Sequence, residues 1–174
     1  MPLIEKQRQI LTAMLIGAAV TALMIALGLF VNPFDYPEAL SGHDKFKTAA
    51  LWSLVPITCL AISIARLAKH RFLNHEDMDA NHIAGATDQA RVLQSLLQNT
   101  LEQTMLACLI YFAWSALMPA TYLSVVPIAA LMFGLGRLLF FIRYNKGAPA
   151  RAIGFTLTFY PSITMLMILV LHQV

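Results

Sequence analysis

From Ile10 to Val31 the chain carries no charged side chain, and four further apolar runs follow it. At about 1.5 Å of rise per residue, roughly 20 apolar residues in a helix match the hydrocarbon core of a bilayer. Within that core a helix pairs its own backbone groups, so each run is read as a spanning helix. The second run extends from Thr48 to Leu67, and the third from Asp88 to just before Pro119. The fourth covers Thr121 to Ile142 and the fifth Ala152 to Leu171. Asn32 to Lys47, "NPFDYPEALSGHDKFK", is expected to be a loop, broken by Pro33, Pro37 and Gly42. Lys69 to Thr87 is expected to be a polar connection. The basic start "EKQRQ" resembles the opening of a signal peptide, but the run after it exceeds a typical h-region of about 7–15 residues. No A-x-A-like site follows it, so the run is expected to stay as a helix.

The charge distribution agrees with a membrane bundle. Only 12% of the 174 residues are charged, about half the fraction usual in soluble domains. The twelve lysines and arginines cluster at the ends of apolar segments, a pattern that fits membrane topology and not a nucleic-acid footprint. With a cytoplasmic N-terminus, Lys6, Arg8, Arg66, Lys69, Arg71, Arg91, Arg137, Arg143, Lys146 and Arg151 lie on or near the inside, and only Lys45 and Lys47 face out. No eukaryotic sorting signal is visible, so a bacterial inner membrane is the expected location.

Several features read as structure only. Cys59 and Cys108 lie in apolar stretches and look like small buried hydrophobes, not a disulfide framework. His43, His70, His75, His82 and His172 fall mostly in loops with no pair at helical spacing, so no metal site is expected. "GLG" at Gly134 to Gly136 lies inside an apolar run, where it serves close backbone approach and not nucleotide binding. Pro127 and Pro161 are expected to kink their helices. Trp52, Trp114, Tyr122 and Tyr160 are expected at interfaces or in packing.

The third run is different. Arg91, Ser95, Gln98 and Glu102 are spaced four, three and four, which places them on one helix face, with Gln94 and Asn99 beside them. At about 1.5 Å per residue this stripe extends roughly 16 Å, enough to carry Glu102 past the membrane surface. An ionisable group at that depth normally faces the bundle interior and has a partner. Arg137 is the natural one, being the basic residue deep in the fourth run. Two readings stay open: an ion pair that pins two helices, or a cavity whose surplus of polar groups holds a polar ligand.

Three segments carry a family resemblance. They are "RLAKHRFLNHED" (Arg66 to Asp77), "NTLE" (Asn99 to Glu102) and "GRLLFFIRYNKGAPARAIGF" (Gly136 to Phe155). In that order they resemble the helix-end and helix-face motifs of the MAPEG family, membrane-associated proteins in eicosanoid and glutathione metabolism. The resemblance covers residues 48–174. It implies an all-α bundle of four transmembrane helices assembled as a homotrimer, with residues 1–47 supplying an extra N-terminal transmembrane helix and loop.

It also implies that glutathione, the co-substrate, binds between subunits near the cytoplasmic side. Asn99, Glu102 and Tyr144 match positions that hold the tripeptide, with Arg66 and Arg137 nearby. Arg151 matches the arginine that stabilises the glutathione thiolate, and Asp77 an aspartate with a catalytic role proposed in prostaglandin E synthases. A thiol of pKa about 8.5 reacts as its thiolate, and a neighbouring guanidinium favours that form. The implied activity is a glutathione transferase or peroxidase acting on lipophilic electrophiles or lipid hydroperoxides. The alternative is a non-enzymatic lipid-binding or partner-presenting scaffold of the same fold. Two departures stand out: many members carry an arginine where this chain has Ser95, and some a tyrosine where it has Phe140.

Overall fold

The computed structural model describes residues 3–78 and 86–173; His82 and the stretch 79–85 of the polar connection lie outside them. The described residues form helices and turns, with no strand among them. The long helices are α1 (Leu3–Phe30), α2 (Gly42–Leu73), α4 (Asp88–Leu117), α5 (Val125–Arg143) and α6 (Ala148–Gln173). The short α3 (His75–Met78) follows α2 on the way to α4. Four of these elements are long and apolar enough to cross a membrane: α1, α2, α5 with its flanking turns, and α6. Helix α4 has the length but is not among them, because Gln98, Asn99, Glu102 and Gln103 dilute its apolar content.

Three features differ from the sequence expectation. Helix α2 starts at Gly42, inside the expected loop, because Ser41 caps it: its hydroxyl accepts from the Asp44 N–H at 3.1 Å and donates to the Asp44 carboxylate at 2.6 Å. The same helix continues through Lys69 to Leu73, where Asn74 closes it by donating from Nδ2 to the His70 carbonyl at 2.7 Å. Pro127 falls in the first turn of α5, where an N–H has no intrahelical partner, so it starts the helix without breaking it.

Small residues set the packing. Helices α2 and α4 pair closely, and the Thr104 hydroxyl donates to the Pro56 carbonyl across them at 3.2 Å. Helices α5 and α6 cross where a Cβ on Gly136 would lie 2.8 Å from the Gly154 carbonyl oxygen, and a Cβ on Gly154 only 2.6 Å from the Phe140 nitrogen. Helix α1 runs alongside α6 in the same direction. Gly17 seats on the Thr156 side chain and Gly28 on Val125, so α1 is held against both α5 and α6. The main core lies at the far end, around Trp114, Tyr111, Phe133 and Met165. There the indole N–H donates to the Tyr122 carbonyl at 2.9 Å, and Lys45 Nζ donates to the Met118 carbonyl at 2.6 Å. The lysines and arginines other than Lys45, Lys47 and the Arg137 of α5 gather towards the opposite end, where α1 and α6 begin and α2 and α5 finish.

Asp77 organises the turn from α2 into α4. Its buried carboxylate accepts from the Thr87 N–H at 2.8 Å, the Thr87 hydroxyl at 2.7 Å and His70 Nε2 at 2.9 Å. Thr87 in turn caps α4 by accepting from the Ala90 N–H. The Thr87 hydroxyl and N–H, with help from His70, hold the Asp77 carboxyl below its ordinary pKa.

Two outcomes follow from this architecture. Gly154→Ala forces α5 and α6 apart and destabilises the fold by about 1–3 kcal/mol. Gly42→Ala, with nothing within 4 Å of the added methyl, does not destabilise it. Thermal unfolding in detergent reads both. For Asp77, a folded pKa below the ordinary value of about 3.9 means that its stabilisation is complete above that pH and disappears as pH falls through the lower folded value. Protection of the Thr87 amide from hydrogen exchange, corrected for intrinsic rate, therefore stays level down to about pH 4 and falls below it. In Asp77→Asn the protection is lower throughout and the acid step is gone.

Candidate functional site

The turn between α5 and α6 brings two of the singled-out residues together. After Arg143 the chain makes a tight turn over Tyr144–Lys146, and Gly147 follows at φ +95°, a left-handed conformation that a side chain would strain. Pro149 then sits in the first turn of α6, where its missing N–H costs no helix bond. The result puts the Arg151 guanidinium 4.5 Å from the Tyr144 ring centroid, a cation–π contact between residues a turn and a helix start apart. The Tyr144 ring meets Phe140 edge-on at 5.3 Å, and the Arg137 guanidinium lies 4.5 Å from the Phe140 ring centroid.

Arg137 is fully buried. The crossing at Gly136 and Gly154 lets it span three helices: one NH group donates to Asn99 Oδ1 of α4 at 2.8 Å and another to Thr158 Oγ1 of α6 at 2.7 Å. A guanidinium can only donate, so Asn99 must turn its oxygen inward and keep its Nδ2 donors for another acceptor. This corrects the expected pairing with Glu102. The Glu102 carboxylate lies exposed on the outer face of α4 and accepts from Gln98 Nε2 at 2.8 Å, whereas Arg137 lies on the buried face of α5. Within the chain the two do not meet, and the helix-pinning ion pair is replaced by an Arg137–Asn99–Thr158 network.

Asn99, Tyr144 and Arg151 line one cavity of about 550 Å³, inside the range of roughly 300–1,000 Å³ usual for small-ligand sites. Ser95 closes it at the α4 side, and Phe155, Phe159 and Tyr160 continue it along α6. Glu102 lies outside it. With Arg91, Gln94 and Gln98 it lines a neighbouring groove, also of about 550 Å³, and Ser95 and Asn99 form the ridge shared by the two. Arg91, Ser95, Gln98 and Glu102 are all exposed, so the polar stripe faces outward from the single chain. Arg91 pairs with Asp88 at 3.0 Å on that surface.

Arg66 and Asp77 are elsewhere. Arg66 is exposed, 5.5 Å from the Phe141 ring, in a shallow cleft with Lys69, His70 and Asn74. Asp77 spends both oxygens on Thr87 and His70. Two contributions have no signal in the sequence. Thr158 is one hydroxyl among several in an apolar run, and only the glycine crossing reveals that Arg137 reaches it. Ile10 and Met14 of α1 line the cavity although nothing in a charge-free helix marks them.

The same residues fall within a wider pattern. The MAPEG family model matches residues 47–171, from within α2 to near the end of α6, and leaves α1 outside. No curated protein and no solved structure matches the chain. The match takes in Asn99, Glu102, Arg137, Tyr144 and Arg151 on α4, α5, α6 and the turn between the last two, and the protein is an integral membrane helix bundle belonging to the MAPEG family.

Proposed function

We propose that this protein is a membrane-bound glutathione transferase or peroxidase that acts on lipophilic electrophiles or lipid hydroperoxides. The family gives glutathione or eicosanoid chemistry in a membrane. The observation that carries the finer reading is the cavity where Arg151, Tyr144 and the outward donors of Asn99 converge. Its polar residues suit a small peptide: Asn99 meets a carbonyl or carboxylate, and Arg151 offers a cation beside an aromatic ring.

Glutathione, when bound, supplies the sulfur nucleophile. Arg151 places its positive charge beside that sulfur and favours the deprotonated form of a group whose pKa is otherwise about 8.5. Tyr144 holds the Arg151 guanidinium by its ring and lines the cavity beside it. Asn99 donates from an amide that Arg137 has already oriented, so little rotational freedom remains to be lost on binding.

Glu102 and the exposed stripe support a homotrimer. A carboxylate facing lipid near the bilayer centre costs roughly 2.5–3.5 kcal/mol, so a face carrying Arg91, Gln98 and Glu102 belongs against a polar partner, supplied here by a second copy. In that arrangement Glu102 accepts from the ligand's ammonium at the subunit boundary. Arg66, in a separate cleft of its own chain, joins the site only from a neighbouring copy. Asp77 fixes the start of α4 through its bonds to Thr87. The basic end of the bundle, and with it the N-terminus, faces the cytoplasm, and the inner membrane of a bacterium is the setting this topology suits.

A lipid-binding scaffold is the second reading. Ser95 favours it, since it leaves the cavity without the arginine carried there by many relatives.

Calorimetric titration of glutathione into detergent-purified protein separates the two. The transferase reading expects saturable binding that Glu102→Gln weakens and that Arg151→Ala largely retains, while Arg151→Ala loses the thiolate absorbance of the bound ligand and about 10²-fold in kcat. No binding by an intact wild-type trimer gives the site to the scaffold.

A further inference from the structure

Helix α1 lies wholly outside the family match, yet it reaches the cavity. Ile10 and Met14, one turn apart on a single face, line it together with Asn99 and Arg151. Their position is fixed from two points. Gly17 meets the Thr156 side chain at one height, and Gly28 meets Val125 about three turns further on; a Cβ at either would collide. With those contacts made, α1 cannot rotate Ile10 and Met14 out of the cavity without lifting off α6.

The cavity mixes polar and apolar walls. Counting back along the parallel helices from the Gly17–Thr156 contact, Met14 stands at about the height of Ile153 and Ile10 at about that of Pro149, so the two flank Arg151. Asn99, tied through Arg137 to Thr158, stands further along α6. The rings of Phe155 and Phe159, which stack at 5.4 Å with 29° between their planes, line the same space.

We infer that α1 builds the outer wall of an apolar subsite, and that Met14 and Ile10 set the size of the hydrophobic group accepted beside the thiol ligand. A space of about 550 Å³ that must also house a tripeptide suits a ring-sized group better than a long acyl chain, which narrows the proposed activity to small lipophilic electrophiles rather than lipid hydroperoxides. The rings of Phe155 and Phe159 favour a flat, aromatic occupant. The inference rests on reading Arg151, Tyr144 and Asn99 as the glutathione site.

S-substituted glutathiones test it by binding alone. Glutathione, S-methyl-, S-benzyl- and S-decylglutathione are titrated into the full-length protein and its Met14→Ala, Met14→Trp and Ile10→Ala variants. In the wild type, S-benzylglutathione binds about tenfold more tightly than the S-methyl and S-decyl forms, the scale set by small size changes in an apolar pocket. Met14→Trp weakens the S-benzyl form about tenfold, and Met14→Ala narrows the gap between S-decyl and S-benzyl, while in Met14→Ala and Ile10→Ala the affinity for glutathione itself stays within about twofold. If Met14→Trp fails to fold, Met14→Ala and Ile10→Ala decide the matter. Absence of glutathione binding in the wild type overturns the underlying site assignment. Normal glutathione binding with S-substituent affinities unchanged in every α1 variant overturns the role of α1, and equal wild-type affinity for S-decyl and S-benzyl overturns the size limit.

Discussion

Arg137 is a buried guanidinium with no carboxylate bonded to it among the described residues, and the arrangement of α4, α5 and α6 follows from meeting its needs. Taking a cation out of water costs several kcal/mol even after the protein relaxes. Neutral partners and aromatic faces offset part of this: Asn99 and Thr158 each accept one of its N–H groups, Phe140 and Phe133 lie 4.5 and 5.8 Å away, and Nε is left without a partner within the chain. Without glycine at positions 136 and 154 the helices would stand too far apart for Thr158 to serve. A backbone contact thus fixes a side-chain network, and that network fixes how Asn99 presents itself to the cavity.

The aromatic chain carries the same organisation to the ligand side. Arg137 rests on Phe140, Phe140 abuts Tyr144, and Tyr144 holds Arg151. One guanidinium is sealed in and neutrally solvated by protein; the other stands half-buried at a cavity. Each ring restricts its neighbour's rotamers, so Arg151 is positioned before anything binds. The task of Phe140 here is to bridge Arg137 and Tyr144 through its ring, for which no hydroxyl is required.

Much of this organisation is legible in the amino-acid sequence. Long charge-free runs announce helices because membrane hydrocarbon leaves the backbone no alternative, and the spacing of Arg91, Ser95, Gln98 and Glu102 places them on one face, as observed. What periodicity cannot supply is the direction in which that face points. The general rule turns an intramembrane carboxylate inward and pairs Glu102 with Arg137; the stripe instead faces out, and Asn99, rotated towards α5, takes the arginine. Helix ends escape the composition for a local reason: Ser41 and Asn74 each form caps inside stretches that read as loop. The resemblance marks Tyr144 and Arg151, but their contact depends on Gly147 adopting a positive φ, which no spacing rule gives.

The outward stripe and the added helix act on different sides of the same problem. Glu102 and Gln98 stand exposed in the groove on the outer face of α4. The cavity with Arg151, by contrast, is built by its own chain, with α1 supplying a wall that the matched region lacks. Ser95 and Asn99 border both spaces, so a ligand that fills one touches the boundary of the other. On the proposed function, affinity for a charged peptide would depend on assembly across α4, and selectivity for an apolar group on how α1 seats along α6. Separating the two in this way lets α1 be added at one edge of the bundle without disturbing the Arg137 network on which the polar half relies.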